Sequence, residues 1–136
     1  MGLTTRTPCR AIALIVITVI AAGCASLPPT QVSLEDLGRL KGQWTGTRYT
    51  TVKGSTQRYE LATMLEITGD SPPLTGVWHF YQTTMGTRTF SDSFDIRDGK
   101  LVGRAVLVLH SDRSTSELRG EMELAEYHEY FVLRKK

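Results

Sequence analysis

The sequence predicts an all-β fold, an antiparallel up-and-down meander of about seven or eight strands closed as a small barrel behind a short N-terminal helix. Three observations point there. From residue 43 onward the chain is rich in Thr, Val, Tyr and Phe, the composition of strands. Turn signals interrupt it at Lys53-Gly54-Ser55, Gly69-Asp70-Ser71-Pro72-Pro73, Met85-Gly86, Asp98-Gly99 and Ser111-Asp112, so successive runs sit close enough to pair antiparallel. One spacing, Leu-x-Gly-x followed by a bulky or apolar residue, occurs four times: LKGQW (40–44), LTGVW (74–78), LVGRA (101–105) and LRGEM (118–122).

Residues 1–23 read as an export signal. Arg6 and Arg10 precede the run AIALIVITVIAA, whose roughly 12 residues fall short of the about 20 that a spanning helix needs. The AAGC at 21–24 resembles the bacterial lipobox. That resemblance implies cleavage before Cys24 and a palmitate-type lipid on it. Ala25 stands where, by resemblance to enterobacterial sorting, Asp retains a protein in the inner membrane, which implies an outer-membrane anchor facing the periplasm.

Removing the signal leaves 113 of 136 residues, enough for one domain and too few for two. Arg6 and Arg10 leave with it, so 14 Lys and Arg face 14 Asp and Glu. A neutral chain without a basic aromatic stripe excludes a nucleic-acid reading. Cys9 is discarded and Cys24 carries the lipid, so no disulfide forms within the domain and stability falls to a packed core.

Residues 24–33 read as the lipidated cysteine and a tether, with Pro28 and Pro29 holding it extended. The barrel domain then spans 34–136. LEDLGRL opens it as a short helix with Leu34, Leu37 and Leu40 on one side, and the strand runs follow at 43–52, 57–67, 74–83, 87–97, 100–110, 115–124 and 127–134. An eighth strand is hidden if one of the longer runs bends.

Residues i, i+2 and i+4 of a strand share a face. The Leu, Gly and bulky residue of each repeat therefore point the same way, and that face continues apolar through Phe80, Leu107, Leu109 and Leu124. Opposite lie Glu117, Arg119, Glu121 and Glu123, expected on the solvent side. Glycines on the inner face let a strand coil sharply or let a large neighbour fill the space.

The G-x-W-x-G of GQWTG (42–46), after a short helix and before a meander, resembles the lipocalins and the wider calycin group. The resemblance implies that Trp44 packs across the closed end of the barrel against Arg134 of YFVLRKK, and that the interior holds a small, mostly apolar ligand. In size the domain is closer to small metalloprotease-inhibitor or avidin-like barrels. Haem barrels of the nitrobindin type carry a run of glycines after the Trp, where TRYT stands here.

Neither enzyme chemistry nor a cofactor or metal site finds footing. No H-x-H, C-x-x-C or G-x-S-x-G is present, and His79 and His110 point outward on different strands. In AEYHEY (125–130), alternation sends His128 and Glu129 to opposite faces, as expected of a solvated strand start. One stretch breaks the pattern: in RTFSDSFDI, Arg88 and Asp92 share a face with Phe90, Phe94 and Ile96. Four residues along one strand separate them by about 13 Å, too far to pair. Each needs a cross-strand partner, water or a ligand. The candidate ligand-binding residues are therefore Trp78, Phe80, Arg88, Phe90, Asp92 and Phe94.

On the outer face, Val77, His79 and Tyr81, and Val102, Val106 and Val108, are expected to form adjacent apolar strips covered by the helix, a partner protein or the membrane surface. Two functions follow from these readings: a lipid-anchored carrier of a small apolar ligand, or an envelope interaction module or protease inhibitor with a filled barrel.

Overall fold

The computed structural model describes residues 27–82 and 86–136, so the signal segment and Cys24 lie outside the described residues. A short strand β1 (Pro29–Thr30) leads to a 3-10 turn (Leu34–Asp36) and one helical turn α1 (Leu37–Leu40). Eight longer elements follow: β2 (Gly42–Val52), β3 (Arg58–Thr68), β4 (Leu74–Gln82), β5 (Gly86–Arg97), β6 (Lys100–Val102), β7 (Ala105–Ser111), β8 (Ser116–Glu123) and β9 (Tyr127–Lys135). Each of these pairs antiparallel with the next and β9 returns to β2, closing an eight-stranded barrel, with β1 outside the ring against β7.

The eighth strand comes from the run at 100–110, which breaks at Gly103-Arg104 into the hairpin β6–β7. LVGRA is therefore a turn and not a straight strand. The remaining repeats also divide by role. Gly42 leaves the helix with φ +114°, a conformation that L side chains rarely adopt. At Gly120 a Cβ would run into the Val106 carbonyl of β7, so glycine there lets two strand backbones approach. At Gly76 the space is taken by the aromatic and aliphatic side chains of Phe94 and Leu65.

The lower end, where β2 begins and β9 ends, is closed by the helical turn. Ser33 and Asp36 cap it, the Ser33 amide donating to Asp36 Oδ2 at 2.9 Å. Its C-terminal carbonyls have no partner within so short a helix, and the barrel supplies them: Trp44 Nε1 donates to Leu40 O at 2.8 Å, while Lys135 Nζ donates to Arg39 O at 2.6 Å and to Lys41 O. Lys135 also lies 5.0 Å from the Trp44 ring centroid, and burial pushes its pKa down. The place that the lipocalin resemblance gives to Arg134 is thus held by Lys135. The register explains it, since Lys135 lies opposite Trp44 and Arg134 opposite Thr45 on the outer face.

Arg134 instead donates to Glu117 Oε2 at 3.1 Å, and Arg119 donates to Glu117 Oε1. Glu117 is buried between them, not solvated as alternation suggests. Burial raises its pKa, but the two guanidiniums outweigh that and hold it below the ordinary carboxylate range.

Trp44, Leu65, Ile67, Leu74, Trp78, Phe94, Leu101, Leu107, Leu109, Leu118, Phe131 and Leu133 are fully buried and fill the lower part of the barrel. Leu40 joins them from the helix while Leu34 stays 65% exposed, so the helix plugs the end and covers no outer strip. The two outer apolar strips are not adjacent either: β5 separates β4 from β6 and presents Thr89, Ser91 and Ser93 between them. The segment after Cys24 is stitched to the wall from Leu27 onward, through Leu27 O to His110 Nδ1 at 3.0 Å, Ser111 N to Pro28 O at 3.2 Å and Val32 N to Gly99 O at 2.8 Å.

Replacing Gly120 by Leu should destabilise the domain by about 1–3 kcal/mol, because the neighbouring backbone must move. Glu121→Gln on the outer face should cost less than roughly 0.5 kcal/mol. Thermal unfolding of the two variants checks this, and equal shifts would contradict the close approach at Gly120.

Candidate functional site

The floor of the upper interior is aromatic. Trp78 lies 4.5 Å from Phe131 and 5.8 Å from Phe80 by ring centroids, and Phe80 meets Phe90 edge-on at 4.9 Å. The fold thus brings together three of the expected ligand residues, Trp78, Phe80 and Phe90. Phe94 lies lower, sealed in the core against Gly76.

Asp92 does face inward, opposite Gly76, but it is spent on structure. Its Oδ1 accepts from the Ser93 amide at 2.8 Å and the Arg104 amide at 2.9 Å. Its Oδ2 accepts from Trp78 Nε1 at 3.2 Å and the Ala105 amide at 3.3 Å. Four N–H donors satisfy a buried carboxylate without a cation. Gly103 permits this, because a Cβ there would lie 2.6 Å from Asp92 Oδ1. The hairpin is thereby held at mid-height: β6 pairs with β5 only over Asp95–Arg97, and β5 above that level has no strand partner on this side among the described residues.

Arg88, the other charge of like parity, is exposed on that upper part of β5, with its guanidinium carbon 5.9 Å from the Phe90 ring centroid. Arg104 from the hairpin turn reaches the same ring at 5.4 Å.

A third arginine is the residue that sequence reasoning missed. Arg48 lies inside the barrel with its side chain 4% exposed and its guanidinium carbon 4.1 Å from the Phe80 ring centroid. Nη1 donates to Glu129 Oε1 at 3.2 Å, and Thr50 Oγ1 donates to Glu129 Oε2 at 2.5 Å. Nε and Nη2 of Arg48 are buried and have no hydrogen-bond partner among the described residues. Burial lowers the Arg48 pKa, the Glu129 charge and hydrogen bond oppose that, and the nearby Arg88 charge adds to the lowering. Glu129 is therefore buried, not part of a solvated strand start. The signal for both residues was simple alternation: Arg48 and Thr50 continue the face of Trp44, and Glu129 continues that of Phe131 and Leu133.

The rim above carries Tyr59 at 47% and Tyr127 at 39% exposure, placed on the inner face by their pairing with Thr50 and Val52. The three histidines stay apart: His79 meets Thr89, His110 the Leu27 carbonyl, and His128 Glu121 and Glu123. Among the described residues no group of three or more His, Cys, Asp or Glu is arranged to hold a metal, and no helix is long and apolar enough to cross a membrane. A shallow groove lined by Thr30, Asp98, Lys100 and Val108 lies outside the ring, away from these groups.

Truncating Glu129 to Ala leaves a guanidinium charge unpaired in the interior and should destabilise the domain by about 3–5 kcal/mol. The double substitution Arg48→Met with Glu129→Leu should recover most of that loss in a chemical denaturation series. Additive losses would contradict the pairing.

Three comparisons, with protein-family models, with curated proteins and with solved structures, give no match for this chain, so its function has to be argued from the chemistry of the site itself.

Proposed function

We propose that this chain is a lipid-anchored periplasmic protein of the outer membrane whose lipocalin-like barrel binds a small, largely apolar ligand at its upper end. The observation that carries the binding half is the contrast within one barrel: a filled floor capped by Trp78, Phe80 and Phe90, and above it an inner face of exposed tyrosines and a stretch of β5 that, among the described residues, is paired with β4 alone. Apolar surface over an aromatic floor, with few polar groups placed among it, is what a small-molecule site offers.

The anchoring half rests on the signal and AAGC, and the docking of Leu27 gives it geometry. Three Cα–Cα steps from Cys24 to Leu27 span at most about 11 Å. Leu27 is held beside His110 at the lower end, so an anchor on Cys24 sets that end toward the membrane and turns the upper end away. The ligand then enters from the periplasmic side.

The filled lower barrel favours a second reading, an interaction module or inhibitor that works through its outer surface. A titration of the full chain in phosphatidylcholine nanodiscs with the neutral fluorophore N-phenyl-1-naphthylamine separates the two. Saturable binding above that of empty discs, at about one per chain, with quenching of tryptophan emission, supports the carrier. Phe90→Ala should then weaken it by about tenfold, the loss of one aromatic contact at a site centre. A folded protein with no saturable binding would leave the interaction module.

For the anchor, mass spectrometry of the first mature peptide should find an acylated Cys24, and Cys24→Ser should release the domain into the soluble fraction. An unmodified wild-type peptide would end the lipoprotein reading.

A further inference from the structure

Resting on the ligand-binding reading above, the geometry points to a carboxylate-bearing amphiphile as the ligand, bound head-inward with its carboxylate on the Nε–Nη2 edge of Arg48. A guanidinium carries five N–H donors in a planar fork and accepts nothing. Glu129 takes one of them, through Nη1. The two atoms left without partners, Nε and Nη2, form a single edge of the group, where two N–H bonds run parallel. Two parallel donors match the two oxygens of one carboxylate, the bidentate pairing that guanidinium favours. Arg48 is thus buried, fixed on one side by Glu129 and over Phe80, and left without a hydrogen-bond partner along the edge that recognises this head group.

Charge around the site has the same sign. Arg88 and Arg104 flank Phe90, and Arg88 lies near enough to Arg48 to be felt electrostatically, while the buried ion pair supplies one carboxylate, Glu129. Asp92 offsets little of this, since its oxygens are held by backbone and indole N–H groups that a ligand does not displace. An anion entering beside Arg88 and Arg104 meets attraction throughout. Its tail lies against Phe90 and toward Tyr59 and Tyr127 at the rim, and the packed ring contact of Trp78 with Phe131 limits how deep any ligand goes.

The test is a competition on the full chain in phosphatidylcholine nanodiscs, with N-phenyl-1-naphthylamine as reporter and empty discs subtracted. Octanoate should displace the reporter at a concentration about tenfold below that of 1-octanol, the factor expected of one charge-assisted bidentate contact. Arg48→Lys keeps the charge opposite Glu129 but loses the fork. Measured against the variant's own reporter affinity, it should cut the preference to about twofold or less. Equal displacement by octanoate and octanol, or an Arg48→Lys variant that keeps the full preference, would overturn the carboxylate assignment while leaving an apolar site in place. A folded wild type that binds neither reporter nor carbon-13-labelled octanoate, followed by its carboxyl resonance, would overturn both. Where Arg48→Lys does not fold, Arg48→Met with Glu129→Leu takes its place, with the same two outcomes.

Discussion

The Asp92 carboxylate accepts from the backbone of Ser93, Arg104 and Ala105 and from the Trp78 indole, and the shape of the barrel depends on that set of contacts. It fixes the β6–β7 turn halfway up the wall, which makes an eighth strand from a run that would otherwise read as one. It holds the Trp78 ring across the interior, where that ring packs at a tilt against Phe131 and becomes the floor of the upper half. Among the described residues it also leaves the top of β5 without a strand neighbour on one side. A buried carboxylate costs several kcal/mol unless its lone pairs are met. Here the fold meets them with groups that themselves needed acceptors, three backbone amides and an indole.

Below that level the barrel is an apolar core, and above it the interior carries the buried Arg48, Thr50 and Glu129. The lower end solves the problem of a very short helix by lending it partners from strands, the Trp44 indole and the Lys135 ammonium on the last carbonyls. The upper half keeps an ion pair, Arg48 with Glu129, that pure stability does not require, because well-packed apolar groups of similar volume often do as well or better. On the proposed reading, the unpartnered edge of that arginine serves a ligand and not the core. The two requirements are kept apart in space by the Trp78, Phe80 and Phe131 rings.

Much of this was legible in the sequence where alternation was followed through, and lost where it was not. The all-β class, the helix in front and the inward faces of Trp78, Phe80, Phe90 and Asp92 follow from period-2 patterning. Arg48 and Glu129 obeyed the same rule, but they stand beside Thr and Tyr residues that make the strand ends look solvated. The break at Gly103 could not be read locally, since it is caused by Asp92 from another strand. Glu117 was outward as alternation requires, yet buried, because Arg119 and Arg134 fold over it from the solvent side. Alternation fixes a direction, and long side chains decide what happens at its end. The same limit explains why Lys135 and not Arg134 meets Trp44: a one-residue choice at a strand terminus is set by register with β2, which no single strand encodes.

The central claim is the proposal that the Nε–Nη2 edge of Arg48, buried and without a partner in the ligand-free barrel, pairs with a carboxylate. The most direct measurement is the nitrogen-15-detected Nε–H resonance of Arg48 in the folded full chain, followed as octanoate and, separately, 1-octanol are added. Octanoate should shift that proton downfield, as a new charge-assisted hydrogen bond does, and octanol should leave it in place. An Nε–H unmoved by octanoate at saturation would contradict the account.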